Sequence, residues 1–392
     1  MSGNVQAALA VVGARLFPMT SDEAIDGATV VVEGGRFTAI GAALAPPPGA
    51  RVIDAGGAIV TPGLMSAGSH LGLVEISSLP ETCDAAPGKG EAGPAFDVSL
   101  GLNARSSLLA RARADGVTRA AVWPALASRS PLAGLGAVLR LAEGPDILDR
   151  PHAALFAVIA ADAADDPGSS RIGAWGALRA ALEDAKTGAL AEVVAGRIPL
   201  AIAAARESDI RQAAALSVDF GVTVIVLGGA EAWRAADLLA ERQIAVVIDP
   251  FEDGPAGWDR LGARPDNAAI LARAGVTIGL TAFSIHFSHN AGAVVREGAG
   301  LAVANGLPWI AALRALTAAP AAIWGLADHY GRIEVGLEAD LVIWDGDPLE
   351  PASAPMCVIV AGAEASLETR QTRLARRYHP TRRGDPWPPA YR

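Results

Sequence analysis

The sequence predicts an α/β protein: a (β/α)8 TIM barrel with a small β-sandwich domain formed by the N- and C-terminal segments. Three observations carry this. Between residues 58 and 281, apolar β-type runs alternate with segments of helical period, the pattern of βαβ units around a parallel sheet. The first sixty residues and the stretch after residue 330 instead show short strands separated by Gly-rich turns, which argue antiparallel pairing. With 392 residues, 51% of them hydrophobic, the chain can bury a core large enough for one barrel or two domains. The expected layout is a composite sandwich from residues 1–57 and 331–369, a barrel from 58–330, and an extended C-terminal tail from 370–392.

Taken in order, the N-terminal strands are expected at residues 9–12, 29–32, 37–40 and 51–54, with turns at Glu33-Gly34-Gly35 and Gly56-Gly57. Residues 59–64 form the first barrel strand. The Gly/Pro-rich stretch 77–96 then has the position of a long loop over the barrel mouth. Strands follow at 116–122, weakly at 137–141, then at 153–160, 198–203, 222–227, 244–248 and 276–281. Helices are expected at 100–115, 171–186, 207–220, 231–242 and 267–274. Eight strands suit a closed barrel. A doubly wound open sheet is the alternative, but no G-x-G-x-x-G follows the first strand, which counts against a dinucleotide-binding version. Helices at 290–305, 308–317 and 320–325 lead back to strands within 331–345 and 356–360.

Composition narrows the partners. A net charge of −10 and a pI near 5.1 leave no basic stripe to neutralise phosphate, so nucleic acid is not expected. Cys83 and Cys357 are too few and too far apart for a disulfide framework or a cysteine zinc site, and a reducing cytoplasm is the expected compartment. Met1-Ser2-Gly3-Asn4 lacks the basic start of a signal peptide. Mean hydropathy is +0.32, yet no run approaches the ~20 apolar residues of a membrane span. No membrane partner is expected, and the apolar content belongs to a core. The tail, with six arginines by Arg383 and then Pro386-Trp387-Pro388-Pro389, reads as a solvated segment or a subunit-contacting arm.

The most informative stretch is Ile59-Val60-Thr61-Pro62-Gly63-Leu64-Met65-Ser66-Ala67-Gly68-Ser69-His70-Leu71-Gly72. It resembles the first barrel strand of the amidohydrolase superfamily, in particular its imidazolonepropionase-like metal-dependent hydrolases, where Pro-Gly-Leu-Ile-Asp-x-His-x-His places two histidines on a catalytic metal. The segment Gly331-Arg332-Ile333-Glu334-Val335-Gly336-Leu337-Glu338-Ala339-Asp340-Leu341-Val342 is similar to the family's closing Gly-x-Ile-Glu-x-Gly-x-x-Ala-Asp-Leu-Val. It marks the fold and carries no chemistry. The resemblance implies a TIM barrel with a two-ended sandwich, oligomerisation, and hydrolysis of amide or cyclic amide C–N bonds at a metal such as Zn.

Position by position, the resemblance sets Ser66 for the family's aspartate, Gly68 for the first histidine and His70 for the second. Later ligand positions fall on Ala203, Gly228 and Phe283. Four of these five metal-ligand positions, Gly68, Ala203, Gly228 and Phe283, hold no donor, so His70 is vestigial and no metal is expected. A rebuilt zinc site would draw on His286 and His289, which follow the last barrel strand. Glu75, Arg206 and Glu231 lie near strand C-terminal ends as pocket candidates, although Arg206 also suits an ion pair with Glu207 or Asp209. Trp123, Trp233 and Phe283 are candidates for an aromatic wall. No G-x-S-x-G elbow offers a metal-free nucleophile, and Ser69 and His70, neighbours on an extended segment, point to opposite faces. His152, His329 and His379 fall outside the expected mouth.

The expected function is therefore that of a degenerate amidohydrolase homologue or partner subunit, self-associating or paired with an active amidohydrolase. The alternatives are an active hydrolase of non-peptide C–N bonds with a rebuilt site, and a small-molecule binding barrel.

Overall fold

The computed structural model describes residues 8–87, 93–126, 131–159, 170–252, 254–283 and 291–379. Two eight-stranded sheets organise them. The first is built from both chain ends. Strands β1 (Leu9–Leu16), β2 (Ile25–Glu33), β3 (Arg36–Ala42), β4 (Arg51–Asp54) and β5 (Ile59–Pro62) come from the N-terminal end. They are joined by β14 (Leu341–Trp344), β15 (Pro355–Val360) and β16 (Ala363–Glu364). The meeting point is β5, which runs parallel to β1 and antiparallel to β14. The sandwich takes the form of one continuous sheet folded over its own core, with Val11, Val32, Phe37, Ile333 and Ile359 packed together inside. Where the fold closes, Gly35 lies so near the Ala361 carbonyl that a Cβ there would come within 2.9 Å.

The second sheet is the barrel, in the order β13-β12-β11-β10-β9-β8-β7-β6. Its strands are β6 (Leu64–Ser69), β7 (Val117–Val122), β8 (Leu132–Arg140), β9 (Leu148–Val158), β10 (Leu200–Ala204), β11 (Val224–Gly228), β12 (Ala245–Ile248) and β13 (Ile278–Leu280). Helices α1 (Ser107–Ala114), α2 (Arg171–Glu183), α3 (Gly188–Val194), α4 (Glu207–Phe220), α5 (Ala236–Glu241) and α6 (Asn267–Arg273) pack outside. After β13 come α7 (Ala291–Ala304), α8 (Trp309–Arg314) and α9 (Ala318–Ile323). The ring closes between β13 and β6 through the chain that follows α8. Met65 N–H donates to the Leu316 carbonyl at 2.7 Å, and Leu280 N–H to the Ala315 carbonyl at 3.1 Å.

Three expectations need correction. The run at residues 59–64 is not one barrel strand. It breaks at Pro62-Gly63, leaving β5 in the folded sheet and starting the barrel at Leu64. Gly63 sits where a Cβ would lie 2.1 Å from Thr118 Oγ1, so this crossing point has room only for glycine. Second, the barrel is not wholly parallel, because β8 runs antiparallel to both β7 and β9. Residues 141–147 are too short for a crossover helix, so β8 and β9 pair as a long hairpin. Third, the tail begins as helix α10 (Arg370–Tyr378), capped by Thr369, whose hydroxyl accepts from Thr372 N–H. Residues 380–392 lie outside the described chain.

Local chemistry explains why the outer helices start and stop as they do. Ser170 and Ser106 cap α2 and α1 through their hydroxyls, supplying acceptors for first-turn N–H groups. Helix α4 opens with Glu207 and Asp209 at its positive end and stops at Gly221, whose φ of 66° is left-handed.

The two sheets are locked by one buried cation. Period-two alternation turns Arg119 and Ala121 of β7, and Trp123 directly after it, inward and Ala120 and Val122 outward. Arg119 is fully buried, and its guanidinium reaches Asp149 at 2.9 Å, Glu338 at 2.6 Å and Asp340 at 2.6 Å. It also lies over the Tyr330 ring at 4.9 Å. The Tyr330 hydroxyl donates to the Gly63 carbonyl at 2.6 Å and meets Thr118 Oγ1 at 3.1 Å. Removing the cation strands three carboxylates at the joint. Arg119→Met is expected to cost roughly 3–5 kcal/mol in urea unfolding, whereas Arg197→Ala, which breaks an exposed pair with Glu192, should leave the midpoint unchanged.

Candidate functional site at the barrel mouth

The C-terminal ends of the parallel strands surround a cavity of about 260 Å3. In an α/β barrel this is the end where loops can build a site without disturbing the layers beneath. Its wall includes His70 after β6, Ala203 on β10, Gly228 on β11 and Phe283 after β13. Four of the five ligand positions that the resemblance singled out thus converge on one space. The fifth, Gly68, faces inward beside them, and its surroundings are the most telling feature of the site. A Cβ built on Gly68 would lie 1.7 Å from Cη2 of Trp123, with two further ring carbons within 2.3 Å. The indole occupies the volume that any side chain at this position would need.

Trp123 belongs to an aromatic column inside the barrel. Its ring stacks on Phe283 at 5.7 Å with 12° between planes and meets Phe156 at 5.4 Å and Trp324 at 6.2 Å. Phe156 and Trp324 stack at 5.9 Å. The column is fixed to the backbone by Trp324 Nε1, which donates to the Ala67 carbonyl at 2.9 Å. Of the expected aromatic wall, Trp123 and Phe283 line the cavity. Trp233 stands elsewhere, between the guanidinium groups of Arg234 and Arg264.

The remaining wall positions are small. Ala203, Ala204 and Ala205 run along the end of β10. Gly228 has φ +85° and open space where a Cβ would stand, a backbone conformation that a histidine would take only with strain. The Phe283 N–H donates to Asp249 at 2.7 Å, and Phe251 N–H to the other carboxylate oxygen at 2.9 Å. Asp249 therefore ties the end of β12 to the end of β13. Among the described residues, no three His, Cys, Asp or Glu side chains are grouped so that they could hold a metal ion. His286 and His289 lie outside the described residues.

The polar side of the cavity comes from Glu252, Asp259 and Arg260 in the connection after β12, which motif reading did not single out. Only their place after a strand's C-terminal end could have signalled them. Glu252 pairs with Arg260 at 2.8 Å. Burial pushes the Glu252 carboxyl above its ordinary range; Arg260 offsets part of this, and Asp249 adds to it. Asp259 is clamped by Arg171, at 2.7 Å to each oxygen, and by Arg206 at 2.6 Å.

The three charged pocket candidates require correction. Arg206 pairs with Asp259 across the loop, instead of with Glu207 or Asp209 beside it. Glu231 accepts from Glu207 N–H at 2.9 Å and Gly262 N–H at 3.0 Å, and so splices two loops without lining the cavity. Glu75 is not part of the cavity wall either, and its buried Oε1 has no hydrogen-bond partner among the described residues. Ser69 spends its hydroxyl on the Ala121 carbonyl at 2.9 Å, so it does not work with His70. His152 sits within β9 and bonds Asp97 at 2.8 Å, and His329 bonds Asp328 at 2.7 Å.

An eight-stranded barrel with its cavity at the strand C-termini, beside a sheet made of both chain ends, defines a known class of architecture. Residues 230–367 match the Amidohydrolase family. Over 91% of this chain and 99% of the other, the structure is similar to that of an amidohydrolase from Thermotoga maritima, with a TM-score of 0.82 and 26% identity. It also shares its fold with an N-isopropylammelide isopropylaminohydrolase from Burkholderia multivorans. There the TM-score is 0.60, identity 18%, and coverage 92% and 98%. A stretch of 57 residues, 14% of this chain, is 46% identical to the amidohydrolase tasK of Hapsidospora irregularis and spans 6% of that protein's length. The chain is thus similar to amidohydrolases in fold and, over residues 230–367, in sequence. No helix among the described residues is long and apolar enough to cross a membrane.

The clash between Gly68 and Trp123 yields a double-mutant test. Gly68→Ala should destabilise the parent markedly, because backbone and ring must separate. Trp123→Ala alone should cost roughly 3–5 kcal/mol through the cavity it leaves. Combined, the two should cost less than their sum, with a coupling of about 1–3 kcal/mol in urea unfolding.

Proposed function

We propose that this protein is a non-hydrolytic homologue within the superfamily, a barrel that has given up the family's metal and keeps its mouth as a small-molecule pocket. One observation carries the reading: the Trp123 indole fills the space that a ligand side chain at Gly68 would occupy. The chemistry of the neighbouring positions agrees with it. Ala203, Gly228 and Phe283 offer no lone pair to a cation, and one imidazole from His70 is too few for a catalytic ion. The residues present do not fit the family's metal, so no hydrolytic step is derived through one.

The pocket suits holding better than turnover. Its floor is apolar and small-sided, and its charges are already paired, Glu252 with Arg260 and Asp259 with two arginines. Few convergent polar groups over an apolar floor is the usual make-up of a ligand pocket. As a partner subunit, the chain would contribute this pocket and its surface to an assembly, with itself or with an active amidohydrolase.

Elemental analysis of the purified, untagged protein for Zn, Fe, Mn and Ni tests the reading. Metal well below one equivalent, in the parent and in His70→Ala alike, is the expected result. Near-stoichiometric metal that disappears in His70→Ala would overturn it in favour of a rebuilt zinc hydrolase drawing on His286 and His289. Pocket binding is checked by thermal unfolding across a panel of small neutral and charged molecules. A true occupant at a hundred times its Kd adds about 2.7 kcal/mol of stability, and Ala203→Phe, which fills the floor, should abolish that gain.

A further inference from the structure

Helix α10 is unlike the other α-helices among the described residues. None of its nine residues is buried, and it carries Arg370, Arg373, Arg376 and Arg377 with no acidic residue. Leu374 and Tyr378, one turn apart, are both exposed on it. Among the described residues, Arg376 alone of the four has an acidic partner in a salt bridge, Glu368 at 2.6 Å. Exposed like charges at this density repel one another along a short helix, so a bare α10 is held against its own electrostatics. Residues 370–392 hold seven arginines and one aspartate, a net +6, which leaves −16 on the remainder of a chain whose total is −10. The protein is therefore strongly polarised, with a basic arm on an acidic body.

The body offers a matching surface. Asp345, Asp347 and Glu350 crowd the turn between β14 and β15, and Glu297 of α7 joins them around Arg296. Arg296 is 4% exposed and spends its guanidinium on the carbonyls of Pro348, Glu350 and Ser353. It holds the turn in shape but neutralises little of the outer surface. Glu297, Asp345 and Glu350 are exposed. Among the described residues no salt bridge engages any of these four carboxylates.

We propose that α10 of one copy docks on the acidic patch around Glu297, Asp345 and Glu350 of a second copy of this chain. The arginines would face the carboxylates, and Leu374 and Tyr378 would be covered between them. The charge complementarity selects this occupant: the chain itself presents both halves of the contact, and two such contacts related by a two-fold axis close a dimer. Exposed ion pairs are individually weak and screened by salt, so the association is salt-sensitive. This inference does not depend on what the barrel mouth binds.

Sedimentation velocity on the full chain at low and high salt, with two charge-reversed variants, tests it. Arg370→Glu/Arg373→Glu/Arg377→Glu reverses the arm, and Glu297→Lys/Glu350→Lys reverses the patch. These arm and patch residues are exposed and make none of the contacts of the Arg119 joint, and circular dichroism verifies that both variants fold. The parent should dimerise at low salt and dissociate as salt rises, and each variant alone should be monomeric. Mixing the two variants should restore dimers, since each arm then meets a patch of opposite charge. A parent that stays monomeric at low salt would overturn the proposal, as would dimers unaffected by either reversal. A monomeric parent whose α10 instead binds anionic vesicles or nucleic acid would overturn it too.

Discussion

The architecture depends on one guanidinium kept out of water. A cation as deeply buried as Arg119 is tolerable only if charge and hydrogen bonds around it replace the lost solvent. Here they come from three parts of the chain: Asp149 on β9, Glu338 and Asp340 ahead of β14, and the face of Tyr330. Neither the barrel nor the folded sheet owns the complete set. Each must be in place for the other's charges to be satisfied. The narrow passage at Gly63 belongs to the same joint, since Tyr330 bonds its carbonyl and Asp340 accepts its N–H through the main chain at 2.9 Å. The Thr-Pro-Gly and Glu-Ala-Asp segments are thus two halves of one structural device.

That placement separates the scaffold from the mouth. Arg119 of β7 and Trp123 just past its end share one face of the chain, four residues apart, which is about 13 Å along an extended strand. The joint occupies one end of the barrel interior, the aromatic column its middle, and the cavity the other end. Residues at the mouth can change without disturbing the buried ion network, which is why an α/β barrel supports many chemistries, or none, on one frame.

Much of the fold was legible because its signals are local. Helix α4 falls on residues 207–220 as its caps and acidic first turn imply, and α6 and α9 lie within two residues of their expected bounds. What the sequence concealed was long-range or directional. A strand's composition is the same whichever way it runs, so the antiparallel course of β8 could be inferred only from the short link to β9. Arg119 read as one charged residue in an apolar strand, because its partners lie 30, 219 and 221 positions away. The cavity positions His70, Ala203, Gly228 and Phe283 were found through a motif frame. Glu252, Asp259 and Arg260 sit in an irregular connection that has no period to read. Glu231 and Arg206 were correctly placed near strand ends, yet a carboxylate or guanidinium at such a place can as easily hold loops together as face a ligand.

The strand ends at the mouth are held together by several separate contacts. A metal centre in a barrel ties the ends of several strands through one atom. Here separate contacts span the same places. Asp249 joins β12 to the end of β13 through two backbone N–H groups. The Thr281 hydroxyl donates to the Gly68 carbonyl, joining β13 to β6. Trp324 anchors to Ala67, and Gly229 N–H donates to the Ala204 carbonyl at 2.9 Å, joining β11 to β10. Stacked rings fill the space between them with dispersion contacts and buried apolar area. Each tie is a neutral or singly charged hydrogen bond. Gly68, by leaving room for the Trp123 ring, and Phe283, by stacking on it, thus belong to the packing that gives the mouth its shape.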